Sequence, residues 1–304
     1  MTSPPFRNRL LSPRFWPAWI GLGVVWLLAR LPYRWLRRCG LLFGKLTRHL
    51  PGERRHVAGR NIELCFPDFD VAQREALLRA TLEDLGMMLA EFALAWMCSD
   101  RALARVPCRI DGLEHLEACR AQGRGVLLVG AHFSHLELCA RLVSQRIRIA
   151  GMYRVMDNDA FEFAILRTRL RYAETMFTKD ELRATVKHLK QGGTLWYAPD
   201  QDMRGKDAVF VPFFGIAAST ITATHHFARL SGAAVIPFFH KRLRDGGYAL
   251  RLEAPLDDFP SRDVHRDTAR VNGVIERMVR EAPDQYLWIH KRFKTRPPDE
   301  PPLY

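Results

Sequence analysis

The segment Gly125-Val-Leu-Leu-Val-Gly-Ala-His-Phe-Ser-His-Leu-Glu137 begins with a continuous apolar run and continues as a helical pattern that extends to Ser144. An apolar run after a glycine-containing turn is typical of a strand buried on both faces of a parallel sheet. A buried strand that leads directly into a helix is the repeating unit of α/β proteins. The segment therefore predicts an α/β fold.

The same alternation of strand and helix continues on both sides of this segment. Before it, residues 72–98 have the pattern of one long amphipathic helix. After it, strands are predicted at residues 148–155, 194–198, 234–243 and 248–253, and helices at residues 158–172 and 178–191. Asp245-Gly-Gly247 lies between the last two strands and is a hairpin signal. The predicted architecture is a mostly parallel central sheet flanked by helices, with an antiparallel part near its C-terminal end.

The N-terminal forty residues contain an uncharged run at residues 15–29 with three tryptophans, and arginines flank it on both sides. The run is short for a spanning helix, which needs about 17–25 apolar residues. Interfacial tryptophans and snorkelling arginines can extend it, and a helix lying flat in the interface is the other possibility. A cleaved signal peptide is disfavoured because no small-residue cleavage site follows. We expect residues 1–38 to form a membrane-anchoring helix with basic flanks, and residues 39–304 to form the main domain.

The composition bounds the class of protein and its partners. The 304 residues include 46 Lys and Arg against 33 Asp and Glu, a formal net charge of +13. This excess suits an anionic partner, namely nucleic acid, anionic lipid or an acidic protein. A hydrophobic fraction of 48% excludes a disordered chain. The six cysteines form no Cys-x-x-Cys pair, so they are interpreted as scattered thiols of a reducing compartment.

His132 and Glu137 are the candidate catalytic residues, because they directly follow the first buried strand. In open α/β sheets, chemistry gathers beyond the carboxyl ends of the strands. Residues five apart on a continuous helix point about 140° apart and cannot pair. The two side chains can meet if His132 lies in the turn and Glu137 in the first helical turn. Ser134-x-x-Glu137 supports this placement because it matches a helix-capping box with Ser134 as N-cap.

Two interpretations of Glu137 remain open. In one it only closes the cap, and in the other it also orients His132 and stabilises the imidazolium form. Neutral His132 is suited to take a proton from an attacking alcohol, and N–H groups at a helix N-terminus can stabilise an oxyanion. No Gly-x-Ser-x-Gly elbow is present, so direct acyl transfer is favoured over a covalent acyl-enzyme. His132 and His135 are disfavoured as a metal pair because no other ligand cluster is apparent.

A series of segments in conserved order resembles the lipid A lauroyl/myristoyl acyltransferase family, which lies within the wider glycerolipid acyltransferase superfamily with its His-x4-Asp/Glu motif. This series covers nearly the whole chain and is more specific than the His-x4-Glu motif alone. The segments that carry the resemblance lie at residues 61–67, 130–137, 153–158, 195–202, 209–215, 282–288 and 291–297.

The resemblance implies an N-terminal anchor in the inner membrane and a cytoplasmic acyltransferase domain. It implies acyl carrier protein as the acyl donor and a phosphorylated, Kdo-bearing lipid A precursor as the acceptor. His132 and Glu137 match the family's catalytic motif. Arg169 matches an arginine that the family needs, and Asp200 matches the aspartate of its Tyr-Ala-Pro-Asp segment.

Further residues at the predicted functional edge of the sheet are expected to bind substrate. Tyr153, Arg154 and Asn158 end the second predicted strand, and Arg154 is suited either to bind a phosphate or to cap a helix. Asp200 and Asp202 follow the next strand, where they either position the acceptor or form a turn.

The predicted function is transfer of a lauroyl- or myristoyl-like group from acyl-acyl-carrier protein to a hydroxyl of a lipid A precursor, in lipopolysaccharide biosynthesis. One alternative is another lipid acyltransferase with a lyso-lipid, glycerophosphate or ornithine-lipid acceptor. A second alternative is a non-enzymatic membrane adaptor for nucleic acid, which the basic run at residues 291–296 suits. No nucleic-acid-binding motif appears, and anionic lipid or the acidic carrier protein suits this basic run as well. No cofactor, metal ion or nucleic acid is expected as a partner.

Overall fold

The fold is built around one seven-stranded sheet and a separate two-stranded ribbon. The computed structural model describes residues 4–47 and 52–304, without the side chain of Thr47. Its strands are β1 (Cys108–Asp111), β2 (Val126–Val129), β3 (Ala150–Tyr153), β4 (Met176–Thr178), β5 (Thr194–Tyr197), β6 (Ala208–Phe213), β7 (Ile216–Ile221), β8 (Ala234–Arg242) and β9 (Tyr248–Leu252). The sheet has the order β1-β9-β8-β2-β5-β3-β4, and β6 pairs with β7 in the ribbon.

Helices cover the sheet and form the N-terminal part of the chain. They are α1 (Trp16–Leu28), α2 (Tyr33–Thr47), α3 (Glu53–Cys65), α4 (Val71–Met97), α5 (Asp100–Leu103), α6 (Leu113–Ala121), α7 (Leu136–Ser144), α8 (Asp159–Tyr172), α9 (Leu182–Lys190), α10 (Ala223–Ser231) and α11 (Val264–Glu281). The long helix α4 begins with a complete capping box, in which Asp70 and Gln73 each accept from the other's backbone N–H. It packs against α2, α3 and α7, and so connects the N-terminal helices to the rest of the fold.

The predicted α/β fold with a mostly parallel central sheet is confirmed. Strands β8, β2, β5, β3 and β4 run parallel to one another. Strand β9 is antiparallel to β8, and β1 is parallel to β9. The predicted hairpin is the β8–β9 connection, in which Gly246 adopts a positive φ of 97°. All four residues of β2 are buried, which explains their uninterrupted apolar sequence.

The capping box predicted at Ser134-x-x-Glu137 is wrong, and the helix predicted from residue 178 begins later. Helix α7 begins at Leu136, one residue later than an N-cap at Ser134 predicts, and its N-cap residue His135 makes no side-chain cap bond. The Ser134 hydroxyl instead donates to the buried Asp84 carboxylate, so it is not available to the helix. Thr178 belongs to β4, and α9 begins only after Glu181, whose Oε2 accepts from the Thr178 N–H at 2.8 Å.

The N-terminal helices pack on the main fold, with one apolar face of α1 turned outward. Ala18, Leu22 and Val25 of α1 are buried, and α1 contacts α4 and α8. Helix α1 has 13 residues, and no helix in the described part of the chain is long and apolar enough to cross a membrane. The expected boundary at residue 38 falls within α2, and residues 1–3 of the expected anchor lie outside the described residues.

Candidate active site

His132 and Asp200 meet because the strands before them are paired. Strands β2 and β5 are parallel neighbours in which Val129 is in register with Tyr197. His132 and Asp200 each lie three residues beyond these partners, at the shared carboxyl edge of the sheet. The His132 backbone N–H donates to Asp200 Oδ2 at 2.9 Å, and its ring Nδ1 lies 2.6 Å from Asp200 Oδ1. One carboxylate therefore fixes both the backbone and the imidazole of His132.

The charge of Asp200 controls the protonation of this pair. Asp200 is 1% exposed, and although burial opposes its charge, the bonds from His132 hold its pKa at about 2. Burial lowers the pKa of His132, but attraction to Asp200 outweighs that effect and leaves the pKa raised. Because Nδ1 donates its proton to an ionised carboxylate, Nε2 is the basic nitrogen of the neutral ring. This arrangement suits a general base.

Glu137 forms a second ionic pair, with Arg169 of α8. The Arg169 guanidinium donates to both carboxylate oxygens, with Nε 3.3 Å from Oε2. Trp96 of α4 donates its indole N–H to the same Oε2 at 2.9 Å. The two charged side chains are 14% and 17% exposed, so the pair is largely withdrawn from water. Three helices, α4, α7 and α8, are thus joined at this carboxylate.

The interpretation in which Glu137 orients His132 does not match the contacts, because Asp200 occupies that position. Among the described residues, the hydrogen bonds of Glu137 go to Trp96 and Arg169, and the carboxylate that orients His132 belongs to Asp200. The reason is the direction of the chain, since His132 turns toward β5 while Glu137 lies on α7 and faces α8. The His-x4-Glu motif therefore spans two adjacent ionic pairs at one site.

An apolar cavity of about 420 Å³ opens beside these two pairs. His132, Glu137 and Arg169 line it together with many apolar side chains. Those apolar side chains include Met88, Phe92, Trp96, Ala140, Val143, Ile149, Met152, Met156, Ala173, Met176, Trp196 and Phe238. The cavity follows α7 from Glu137 to Ser144, a helical rise of about 10 Å. A pocket that is apolar except for a few polar groups at one place suits a hydrocarbon chain with a reactive head.

The other predicted binding residues lie near the site but mostly have structural partners. Tyr153 and Arg154 line the cavity, and the Tyr153 hydroxyl donates to Glu162 at 3.0 Å. Arg154 is exposed and pairs with Asp157 at 3.3 Å. Asn158 is the N-cap of α8, where its Oδ1 accepts from the next backbone N–H groups. Of these three residues, Tyr153 and Arg154 border the cavity and Asn158 does not.

Asp202 lies outside the cavity and organises a neighbouring loop. Its carboxylate accepts from the Thr295 backbone N–H at 3.0 Å and from the Thr295 hydroxyl at 2.9 Å. Its own N–H donates to His290 Nε2 at 3.2 Å. Asp202 therefore joins the loop after β5 to the C-terminal segment.

Sequence reasoning missed a buried ionic network behind the catalytic loop. Arg242 pairs with Asp84 and donates to Glu91 Oε1 at 2.8 Å, and Tyr248 donates to the same oxygen at 2.7 Å. Ser134, two residues after His132, joins the network through Asp84. Burial raises the pKa of Glu91 to about 7. Asp84 and Glu91 lie seven residues apart, and so on one face of α4, and this spacing was the available sequence signal.

His135, Cys139 and His240 are the described residues whose ligand atoms are close enough to be considered for a metal ion, within 4.8 Å of one another. All three are fully buried. Burial lowers the pKa of His240 to about 3 and is the main cause that lowers the pKa of His135. The two rings pack edge to face with centroids 4.9 Å apart. The three side chains are therefore interpreted as part of the buried core beside the Arg242 network.

Comparisons with known proteins agree with this geometry. The profile of the family described as bacterial lipid A biosynthesis acyltransferase matches residues 3–295. The chain is 40% identical over 303 residues to the lipid A biosynthesis lauroyltransferase of Escherichia coli (strain K12), covering 99% of each chain. It is 38% identical to the palmitoleoyltransferase of the same organism, covering 98% of each chain. It is 29% identical to the myristoyltransferase of that organism, covering 98% of this chain and 93% of the relative.

Proposed function

The chain belongs to the bacterial lipid A biosynthesis acyltransferase family, and we propose that it transfers a lauroyl- or myristoyl-like group from acyl carrier protein to a hydroxyl of a Kdo-bearing lipid A precursor. It is an acyltransferase of lipid A biosynthesis. The observation that carries the finer proposal is the His132–Asp200 pair at the edge of an apolar cavity. A base beside a hydrocarbon site has the parts that O-acylation from a fatty thioester requires.

The apolar cavity holds the acyl chain of the donor in this proposal. Its walls include Met88, Met152, Met156 and Met176, whose flexible side chains adapt to a linear hydrocarbon. The thioester then lies where His132, Glu137 and Arg169 meet the cavity. Burial of each chain methylene favours binding by about 0.8 kcal/mol.

His132 acts as the general base in this mechanism. Its Nε2 takes the proton of the acceptor hydroxyl while the hydroxyl oxygen forms a bond to the thioester carbonyl carbon. The tetrahedral oxyanion then collapses, the carbon–sulfur bond breaks, and the imidazolium returns the proton to the leaving thiolate. Asp200 stabilises the imidazolium between these steps because its own pKa of about 2 keeps it ionised. The products are an ester and the free carrier thiol.

Glu137 and Arg169 have a different role from Asp200. Arg169 borders the cavity near His132, so its cation is placed to stabilise the oxyanion. Glu137 is the positioning residue, because it binds the guanidinium through both oxygens and also accepts from Trp96. Loss of the carboxylate would release the cation from this geometry.

Transfer is direct, without an acyl-enzyme. Cys139 is fully buried, and burial raises the pKa of its thiol well above the usual range, so a thiolate is disfavoured there. Ser134 lines the cavity but is only 4% exposed, and its hydroxyl donates to Asp84. Among the described residues, neither side chain is hydrogen-bonded to His132, as a nucleophile activated by that base would be.

The protein attaches to the cytoplasmic face of the inner membrane through α1. Trp16, Ile20, Val24 and Leu27 are 57%, 67%, 48% and 61% exposed. They recur at helical spacing, so they form one apolar face on the side of α1 away from α4. A 13-residue helix with such a face suits the interface plane of a membrane. This outward face supports interfacial attachment, which was one of the two modes that the sequence left open.

Mass spectrometry of lipid A tests the proposed function. Cells that lack the protein should accumulate a lipid A species that is short of one acyl chain. Expression of the wild-type chain should restore the fully acylated species, and the mass difference between the two species gives the acyl length. Identical lipid A in both strains would contradict the proposal.

A further inference from the structure

A second pocket lies beside the catalytic pair and differs from the first in its chemistry. Its volume is about 510 Å³, and it shares no lining residue with the apolar cavity. The start of α3, the loop after β5 and the C-terminal segment form its walls. We call it the basic pocket, and its lining residues are Glu53, Arg54, Val57, Asp202, Arg204, Ile289, His290, Lys291 and Lys294.

The basic pocket is joined to the active site by short links. Leu287 donates its N–H to the His132 carbonyl oxygen at 2.9 Å, and His290 follows three residues later. His290 Nε2 accepts from the N–H of Asp202, which lies two residues after Asp200. Burial lowers the pKa of His290, the charge of Asp200 raises it and the charge of His132 lowers it, so the catalytic pair is within electrostatic range of His290. The lining of the basic pocket thus lies within three residues of the segments that hold His132 and Asp200.

The charges of the pocket are unbalanced toward the positive. Four cationic side chains face two carboxylates in its lining. Lys291 pairs with Glu53 at 2.7 Å, and the Asp202 carboxylate is committed to Thr295. Arg54 and Lys294 are exposed, and neither makes an ion pair within the part of the chain that the structure describes. These two cations remain for an anionic ligand.

We propose that the basic pocket binds an anionic group, a phosphate or a carboxylate, on the sugar head of the acceptor. This inference rests on the proposed function, because it assigns a place to the acceptor of that reaction. The acyl chain of the donor occupies the apolar cavity, which His132 lines, and the polar head of the acceptor occupies the basic pocket, which is linked to His132 through the segment that begins at Leu287. Holding the head fixes which hydroxyl reaches Nε2, since position within hydrogen-bond reach decides transfer.

The shape of the pocket favours a small anion over the carrier protein. A docking face for a protein usually buries about 800 Å² per partner, whereas this is a concave site of small-molecule size. A bound anion would also find the first N–H groups of α3, a helix of 13 residues that begins at Glu53. The carrier protein remains the rival occupant that the experiment must separate.

The test uses the full-length double variant Arg54→Ala/Lys294→Ala with steady-state kinetics. We expect the KM for the lipid acceptor to rise about tenfold or more, because two charge-assisted contacts are lost. The KM for the acyl donor should move less than twofold. The matched control is Arg183→Ala/Lys190→Ala, which removes the same two residue types from the exposed surface of α9. It should leave both KM values unchanged.

Acceptor forms identify the anion. We compare the intact acceptor with forms that lack either the phosphate or the acidic sugar. Loss of the group that the pocket binds should weaken binding to the wild type but should not change binding to the double variant. Inorganic phosphate should compete with the acceptor more strongly in the wild type than in the double variant. Acceptor binding to the wild type and the double variant, measured without donor, tests the pocket even where transfer is absent.

Equal affinity of the two proteins for the acceptor overturns the inference. A rise in the KM for the donor alone also overturns it, because that result would assign the pocket to the carrier protein. Absence of transfer by the wild type would instead contradict the proposed function.

Discussion

Both carboxylate oxygens of Asp200 are bonded to one residue, His132, with Oδ1 2.6 Å from the ring Nδ1 and Oδ2 2.9 Å from the backbone nitrogen. This double attachment leaves the imidazole no freedom to turn away from the cavity edge. It also selects the tautomer in which Nε2 is the base. The orientation of the base thus depends on a residue 68 positions away in the chain.

Asp200→Asn should lower kcat about 100-fold and change its pH dependence. His132 works as a base, so activity rises with pH as the ring loses its proton. Asp200 raises that pKa, so removing the charge should move the rising limb to lower pH while the plateau falls. A pH–rate profile measures both effects, with Asp180→Asn as the exposed control. If the rising part of the pH–rate profile stayed at the same pH in the variant, the profile would report the titration of a group other than His132.

Glu137→Gln should lower kcat about 100-fold by releasing Arg169, with Asp200 still holding His132. The free energy of unfolding should fall by about 1–3 kcal/mol, because a largely buried cation loses its charged partner. Glu63→Gln is the control, since its pair with Arg60 is exposed. Kinetics combined with chemical denaturation separates the two effects. Full activity in the folded variant would leave Glu137 with a structural role only.

Ala140→Leu should shift the donor preference toward shorter acyl chains. Ala140 lines the cavity between Glu137 and Ser144, so added methyl groups occupy part of the hydrocarbon path. Selectivity against the longer chain should change about tenfold, the effect of one or two methylenes in such a pocket. Competition between acyl donors of graded length, followed by product mass, gives the ratio. Ala118→Leu on the exposed surface of α6 should leave the preference unchanged.

Ile20→Ser/Val24→Ser/Leu27→Ser should weaken membrane association about tenfold or more, because three exposed apolar side chains of α1 become polar. Their counterparts on the buried face remain, so the fold is kept. Co-sedimentation with anionic vesicles measures the effect. Leu230→Ser on α10, 58% exposed in the wild type, is the control. Undiminished binding of the triple variant would show that other surfaces hold the membrane.

Strands β2, β3, β5, β8 and β9 could be predicted because local sequence determines them, whereas β1, β4, β6 and β7 were not predicted. Residues 126–129 are apolar without interruption, as burial on both faces requires. The hairpin before Tyr248 could be predicted because its turn needs the positive φ of Gly246. Helix starts could not be fixed in the same way. Ser134 and Thr178 have capping side chains by type, but the Ser134 hydroxyl donates to the distant Asp84 and the Thr178 hydroxyl donates to the nearby Glu181 carboxylate.

The candidate residues could be predicted, but their pairing could not. Register between β2 and β5 brings Asp200 to His132, and the packing of α8 brings Arg169 to Glu137. Neither relationship is encoded by spacing along the chain. The cavity likewise depends on side chains from several helices and strands at once. The sequence signal for the basic pocket was the charged run that includes Lys291 and Lys294.

Single-turnover transfer by His132→Ala is the most direct measurement. The variant and the exposed control His226→Ala should fold alike and bind the lipid acceptor alike. With acyl-acyl-carrier protein and a Kdo-bearing lipid A precursor, the rate of ester formation should fall about 1000-fold in His132→Ala and remain at the wild-type level in His226→Ala. A folded His132→Ala protein that forms ester within about tenfold of the wild-type rate would contradict the assignment of His132 as the base.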